Sequence, residues 1–373
     1  MKLMRARALF GTHPIYQEIV NNPPENVVYS GVSKKTLLGK YYQSKKITTK
    51  LSRIFQIFHL PRMVYIPNIK EDLIHSSRGI IILNKKPWVI DLEHPASFAG
   101  MDPELWKKSS LLRKIVKEKL ASPYCKKIMM HCEASKKDLL NTLNCSEIKD
   151  KLEVLYPATH IPKRLKKTKR KKKIVILSVL SLFYAKGGLY VLEAFSRLEK
   201  KYKNVELWIK SDVPEEIKQK YNSRNIKYFP YKTEILPREE LLKKYYMNAD
   251  IFLYPTFADT FGYSLLDAMI ARLPIVASDN FAIPEIVEDG KNGYIIKFPF
   301  SFSNEGTKID NKRLIKTNKK VVEEIAKKCS KLIKNKRLRR KMGNYGYKLV
   351  SKRKFSIKER NKKLLQIYRE AIK

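Results

Sequence analysis

Two hydrophobic periods alternate along this chain. Short runs of β-branched and aromatic residues are followed by longer stretches in which apolar residues return every three or four positions. That alternation predicts parallel sheets with crossover helices. In the first half the runs NVVYSG, MVYIP, DLIHSS, GIIILN, PWVIDLE and KIMMHCE read as strands, and the segments Pro103–Leu120 and Ala134–Leu143 read as helices. In the second half IVILSVLSL leads into a helix with Val191, Leu192, Phe195 and Leu198 on one face. VELWIKS and IKYFPY follow, then a helix carrying Leu241, Leu242, Tyr245 and Tyr246, then DIFLYP and LPIVAS. The end of the chain, SIKERNKKLLQIYREAIK, is a basic amphipathic helix.

These repeats predict a doubly wound sheet with right-handed crossovers in the second half. A chain of 373 residues, 43% of them hydrophobic, is comfortable as two domains. The boundaries expected are 1–160 for the first domain, 161–173 for a linker, 174–355 for the second domain and 356–373 for a terminal helix that packs back toward the first.

Charge changes the picture of partners. There are 78 Lys and Arg against 36 Asp and Glu, a net of +42. The linker IPKRLKKTKRKKK holds nine cations and no acid, and residues 311–373 hold 24 cations and 4 acids. Such patches suit a polyanion: nucleic acid, an anionic membrane surface or a phosphate-bearing substrate. Solvated lysine faces are the plain alternative. The aromatic and basic stretches KYYQSKK and FQIFHLPRM fit single-stranded nucleic acid, lipid headgroups or core packing.

Cys125, Cys132, Cys145 and Cys329 form no close pair of the zinc-binding kind and fit a reducing compartment. The N-terminal MKLMRARALF has no signal-peptide core, and the longest apolar run, Ile174–Ala185, is too short to span a bilayer. A cytoplasmic protein, peripheral on the inner membrane face, is expected.

The stretch PTFADTFGYSLLDAM is the strongest candidate for chemistry. Pro255 closes a strand, so Thr256–Gly262 is the loop beyond its carboxyl end, where doubly wound sheets hold ligands. Leu266, Met269, Ile270 and Leu273 share one helical face, so a helix starts near Tyr263 or Ser264 with its free N–H groups toward that loop. Asp259 lies in the loop and Asp267 one turn into the helix. A carboxylate accepting two hydroxyls of a sugar or ribose is one use for each, and a pair of helix-start acids is the other.

From Lys173 to about Phe298 the chain resembles the nucleotide-sugar domain of glycosyltransferase family 4, retaining enzymes of the GT-B fold. That family carries two glutamates eight positions apart around a Phe-Gly pair, and DTFGYSLLDAM is similar with Asp259 and Asp267 in the two Glu places. AKGG at Ala185–Gly188 and ARLPIVASDNFAIPEIVEDGKNGYII at Ala271–Ile296 match in the same order. The resemblance implies an α/β protein of two Rossmann-like parallel-sheet domains facing a cleft.

It further implies that Asp267 holds the ribose hydroxyls and Asp259 the donor sugar, aided by Phe261 and Gly262. Ser264 and Leu265 would hold the diphosphate through backbone N–H groups, beside Gly187, and Lys186 would neutralise it. Ser181 stands where the family usually has an arginine, and both acids are a methylene short. WVIDLEHPASF places His94 where many members put a histidine near the sugar; His131 reads as structural. The function implied is transfer of a hexose from a nucleoside-diphosphate sugar to a glycan or lipid-linked acceptor. No metal is expected, and nucleic acid is not the expected partner. The runner-up is a catalytically weak or inactive GT-B-fold protein that binds polyanions.

Overall fold

Among the described residues of this computed structural model, fourteen short strands, β1–β14, and the helices between them fall in two units: 1–160 with 354–373, and 161–353. The residues described are 3–10, 13–31, 55–163, 165, 173–257, 259–299 and 314–373. KYYQSKK and most of the basic linker lie outside them.

In the first unit a six-stranded parallel sheet runs in the order β2 (Val27–Ser30), β1 (Met4–Leu9), β4 (Leu73–Ser77), β6 (Trp88–Leu92), β7 (Cys125–Met130), β8 (Leu152–Val154). Strands β4 and β6 are buried at every position, as a sheet covered on both faces requires. Two expected strands leave this sheet: β3 (Met63–Val64) and β5 (Ile81–Ile82) pair only with each other. The helix expected over Pro103–Leu120 is two helices, Pro103–Lys108 and Ser110–Ala121. Ser109 takes an extended conformation between them and accepts the Leu112 N–H on its hydroxyl at 3.2 Å.

The terminal helix Ile357–Ala371 belongs to this unit. Arg360 donates to the Asn22 carbonyl at 2.7 Å, Asn361 to the same carbonyl at 3.1 Å, and the Tyr368 and Tyr29 hydroxyls meet at 2.9 Å. Lys127 of β7 reaches Glu370 at 2.9 Å.

The second unit has a six-stranded parallel sheet in the order β11 (Ile226–Phe229), β10 (Val205–Lys210), β9 (Ile174–Val179), β12 (Ile251–Tyr254), β13 (Ile275–Ser278), β14 (Gly293–Ile296). The chain winds outward from β9 in one direction, returns, and winds outward from β12 in the other. The sheet's switch point therefore lies between β9 and β12, the place beyond the carboxyl ends where doubly wound sheets hold their ligands. Val191, Leu192, Phe195 and Leu198, expected on one face of the first crossover helix, are all buried on Gly188–Lys201. Two long helices, Lys319–Lys334 and Lys336–Lys352, complete the unit.

Candidate active site

The turn after β9 and the loop after β12 touch at the switch point, and two features of the sequence make that possible. Gly187 has φ +75°, and a Cβ there would lie 2.0 Å from the Pro255 carbonyl oxygen. Only glycine allows this approach. The Phe257 N–H then donates to the Ala185 carbonyl at 3.1 Å, which ties the loops together. From the other side, Ser278 and Asn280 at the end of β13 donate to the Thr256 carbonyl at 2.6 and 3.1 Å.

This frame brings Lys186 to Asp259, Nζ to Oδ2 at 2.7 Å. The Tyr254 hydroxyl donates to the same Oδ2, and the Phe261 and Gly262 N–H groups donate to Oδ1 at 3.3 and 3.0 Å. Burial alone would raise the carboxyl's pKa; the Lys186 charge and these hydrogen bonds outweigh it and hold Asp259 below its usual range. Burial and the Asp259 charge push the Tyr254 phenol well up, so it stays protonated and donates.

Gly262, at φ +87°, caps the helix Tyr263–Ile270 without a side-chain bond. The Leu265 N–H donates to the Gly262 carbonyl at 2.9 Å. This N–H, one of the two expected to hold a diphosphate, is therefore already engaged inside the first turn. Ser264 stands one residue nearer the loop and is half-buried. Ser181, in the turn just past β9, is half-buried too.

Asp267 is 7% exposed and faces a partner the sequence did not suggest. Arg238, first residue of the helix Arg238–Lys244, sets Nε 2.9 Å and Nη2 2.7 Å from Asp267 Oδ1. An arginine in the first turn sits at the positive end of the helix dipole, where a cation is disfavoured. That misfit in PREELLKK was the available signal that Arg238 is held by a carboxylate elsewhere. Tyr254 was legible only as the last residue of a strand.

His94 lies in the first unit and is described by itself. It caps the short helix Pro95–Ala99, accepting the Ala96 N–H on Nδ1 at 3.1 Å, while Nε2 stands 3.2 Å from Asp138. His131, read as structural, is buried with Nε2 2.5 Å from Asp91. The four cysteines are buried, and none is in a disulfide.

At this parallel-sheet switch point a lysine ammonium and a helix start supply positive charge, and two carboxylates supply acceptors for hydroxyl groups. Residues 161–304 match the model of the family described as glycosyl transferases group 1. Over this stretch the chain is similar to the group 1 glycosyltransferases. An uncharacterized glycosyltransferase of Haemophilus influenzae is 26% identical over 251 residues, 67% of this chain and 66% of that protein.

Among solved structures, a glycosyltransferase from Rickettsia africae covers 100% of this chain and 99% of its own, with TM-score 0.62 and 14% identity. Anabaena Alr3699/HepE in complex with UDP and glucose covers 97% and 98%, with TM-score 0.60 and 13% identity. At such identities the likeness is one of fold, two parallel-sheet domains of the GT-B type. Among the described residues no helix is long and apolar enough to cross a membrane.

Proposed function

We propose that this glycosyltransferase moves a hexose from a nucleoside-diphosphate sugar to a glycan or lipid-linked acceptor with retention at the sugar carbon, as in glycosyltransferase family 4. The observation that carries the reading is the Lys186–Asp259 pair at 2.7 Å on the switch point, beside the start of the helix Tyr263–Ile270. Anabaena Alr3699/HepE, of the same fold, was solved with UDP and glucose, which favours a uridine donor here.

In this reading Asp267, steadied by Arg238, accepts the ribose hydroxyls. The helix start at Ser264 and the Lys186 ammonium face the diphosphate, so positive charge is supplied without a metal ion. Asp259 orients the sugar. The bond between the sugar carbon and the diphosphate oxygen breaks, the acceptor oxygen bonds to that carbon from the same face, and the acceptor's proton passes to the departing phosphate oxygen. Lys186 stabilises the charge that develops there. The acceptor is met at an anionic membrane surface.

A thermal-shift panel of UDP, GDP, ADP, dTDP and CDP with their sugar conjugates tests the donor site. A ligand at a hundred times its Kd adds about 2.7 kcal/mol, a shift of a few degrees for domains of this size. A shift with one nucleotide family supports the reading and names the donor. No shift with any would favour the polyanion-binding alternative, in which Ser181 leaves the diphosphate too weakly held.

A further inference from the structure

At the far end of the second unit, about 20 Å along the crossover helix from Lys186 at 1.5 Å per residue, lies a groove of about 400 Å³. The helices Gly188–Lys201 and Lys319–Lys334 form its walls. Arg197, Lys201, Lys327, Lys331 and Lys334 line it, with Glu323 as its one carboxylate. Glu323 is 3.3 Å from Arg197, and Lys327 is 3.5 Å from Glu324. Lys201, Lys331 and Lys334 have no ion pair among the described residues, and Lys201 and Lys334 are exposed. Tyr202 lines the same groove, and its hydroxyl is buried with no hydrogen-bond partner among the described residues.

Part of this charge answers the two helix dipoles, since Lys200, Lys201, Lys331 and Lys334 stand in last turns. The dipoles do not account for its continuation. The helices Lys319–Lys334 and Lys336–Lys352 together carry 13 Lys and Arg against 2 Glu. Most of these cations, Lys336, Arg337, Arg340 and Lys341 among them, are exposed.

We propose that this groove seats the phosphate of an anionic phospholipid headgroup, with the surrounding basic helices lying against the membrane surface. The groove suits one headgroup, with Leu198, Ala326 and the lysine stems as its apolar floor. A nucleic acid strand would need a longer track and exposed aromatic faces for its bases, and the groove's one aromatic is Tyr202. The proposal rests on the reading above only in placing the acceptor at a membrane. Binding itself is independent of sugar transfer.

The test is co-sedimentation of the full chain with phosphatidylcholine vesicles, with and without phosphatidylglycerol, near physiological salt and without any donor sugar. The chain is expected to bind only the anionic vesicles. K201E/K334E should weaken that binding roughly ten-fold or more, K201Q/K334Q by less, and K218E, on the helix Glu215–Lys220 and outside the groove lining, very little. Three results would each overturn the proposal: equal binding to both vesicles, an equal loss with K218E, or displacement from vesicles by a single-stranded oligonucleotide. Displacement by millimolar inorganic phosphate would do so too, showing a free-anion site instead. Transfer activity plays no part in the readout, so a failed donor panel and a failed vesicle assay remain separate results.

Discussion

Arg238 grips Asp267 through both Nε and Nη2, at 2.9 and 2.7 Å, although 29 residues separate them and each sits on a different helix. The pair fixes the rotamer of a carboxylate that is a methylene shorter than the glutamate expected there. Arg238→Ala should raise the donor KM about ten-fold while kcat falls little, because a ribose contact acts in ground and transition state alike. It should also remove about 3 kcal/mol of stability by taking the guanidinium away from the buried Asp267 carboxylate. The double variant Arg238→Ala/Asp267→Asn should regain most of the stability and none of the affinity. Nucleotide titration and denaturant midpoints on the three proteins separate the two effects.

Lys186→Met and Asp259→Asn should each lower kcat by 100-fold or more, on the order of one lost charge-stabilising contact, with the fold kept. The pair also carries a pH signature. Asp259 has its folded pKa held below the unfolded value near 3.9. Its contribution to stability is therefore complete above that value and disappears as pH falls through the folded pKa. The difference in denaturation midpoint between the native chain and Asp259→Asn should be flat from about pH 5 to 7 and shrink below about pH 4. A difference that grows on acidification would contradict the charge assignment.

The second unit was the more legible in the sequence because its strands are continuous apolar runs closed by turn residues, and each of its first five was expected. β14 was missed: GYII directly follows the turn-rich EDGKN, so its short apolar run reads as the end of a loop. β1 was missed because Arg5 and Arg7 interrupt MRARAL, yet its alternate residues Met4, Ala6 and Ala8 are buried. A period-2 pattern with arginines on one side was there to read. The helices Lys319–Lys334 and Lys336–Lys352 were hidden by their charge. Their apolar stripe, Val322, Ile325, Cys329, Leu332 and Met342, emerges only when the lysines are set aside. In the site, Asp259, Lys186 and Gly187 come together; the use of Arg238 and the internal engagement of the Leu265 N–H depend on where helices start in space, which spacing does not give.

Gly187 and Gly290 share φ +75°, and they offer a controlled comparison of backbone strain with steric clash. At Gly290 nothing lies within 4 Å of an added Cβ, so Gly290→Ala should cost only the left-handed conformation, about 1 kcal/mol. At Gly187 the Cβ would sit 2.0 Å from the Pro255 oxygen. Gly187→Ala should therefore cost about 3 kcal/mol or more and drive the Lys186 turn away from the Asp259 loop. Thermal denaturation gives the first difference and nucleotide binding the second. Equal losses at the two positions would mean that the loops do not need their close approach.

His75 gives the first unit an acid limit of its own. It is wholly buried in β4, its Nδ1 meets the Tyr368 hydroxyl of the terminal helix, and Phe10 packs edge-on to the ring at 4.6 Å. Burial lowers its pKa from 6.5 to about 4, against the partial pull of the Asp91 charge. Below pH 6.5 the unfolded chain takes up a proton that the folded chain refuses, so stability falls as pH drops and levels off only near pH 4. A shift of that size amounts to roughly 3 kcal/mol. His131 moves the other way: burial opposes its charge, but Asp91 prevails and raises its pKa, so its contribution is complete below the unfolded value and is lost as pH rises through the folded one. His75→Gln keeps a polar partner for Tyr368 and removes the titration. The variant should be less stable than the native chain at pH 7 and should close that gap by pH 4.5. If the gap is unchanged across this range, His75 is not the group whose protonation loosens the terminal helix.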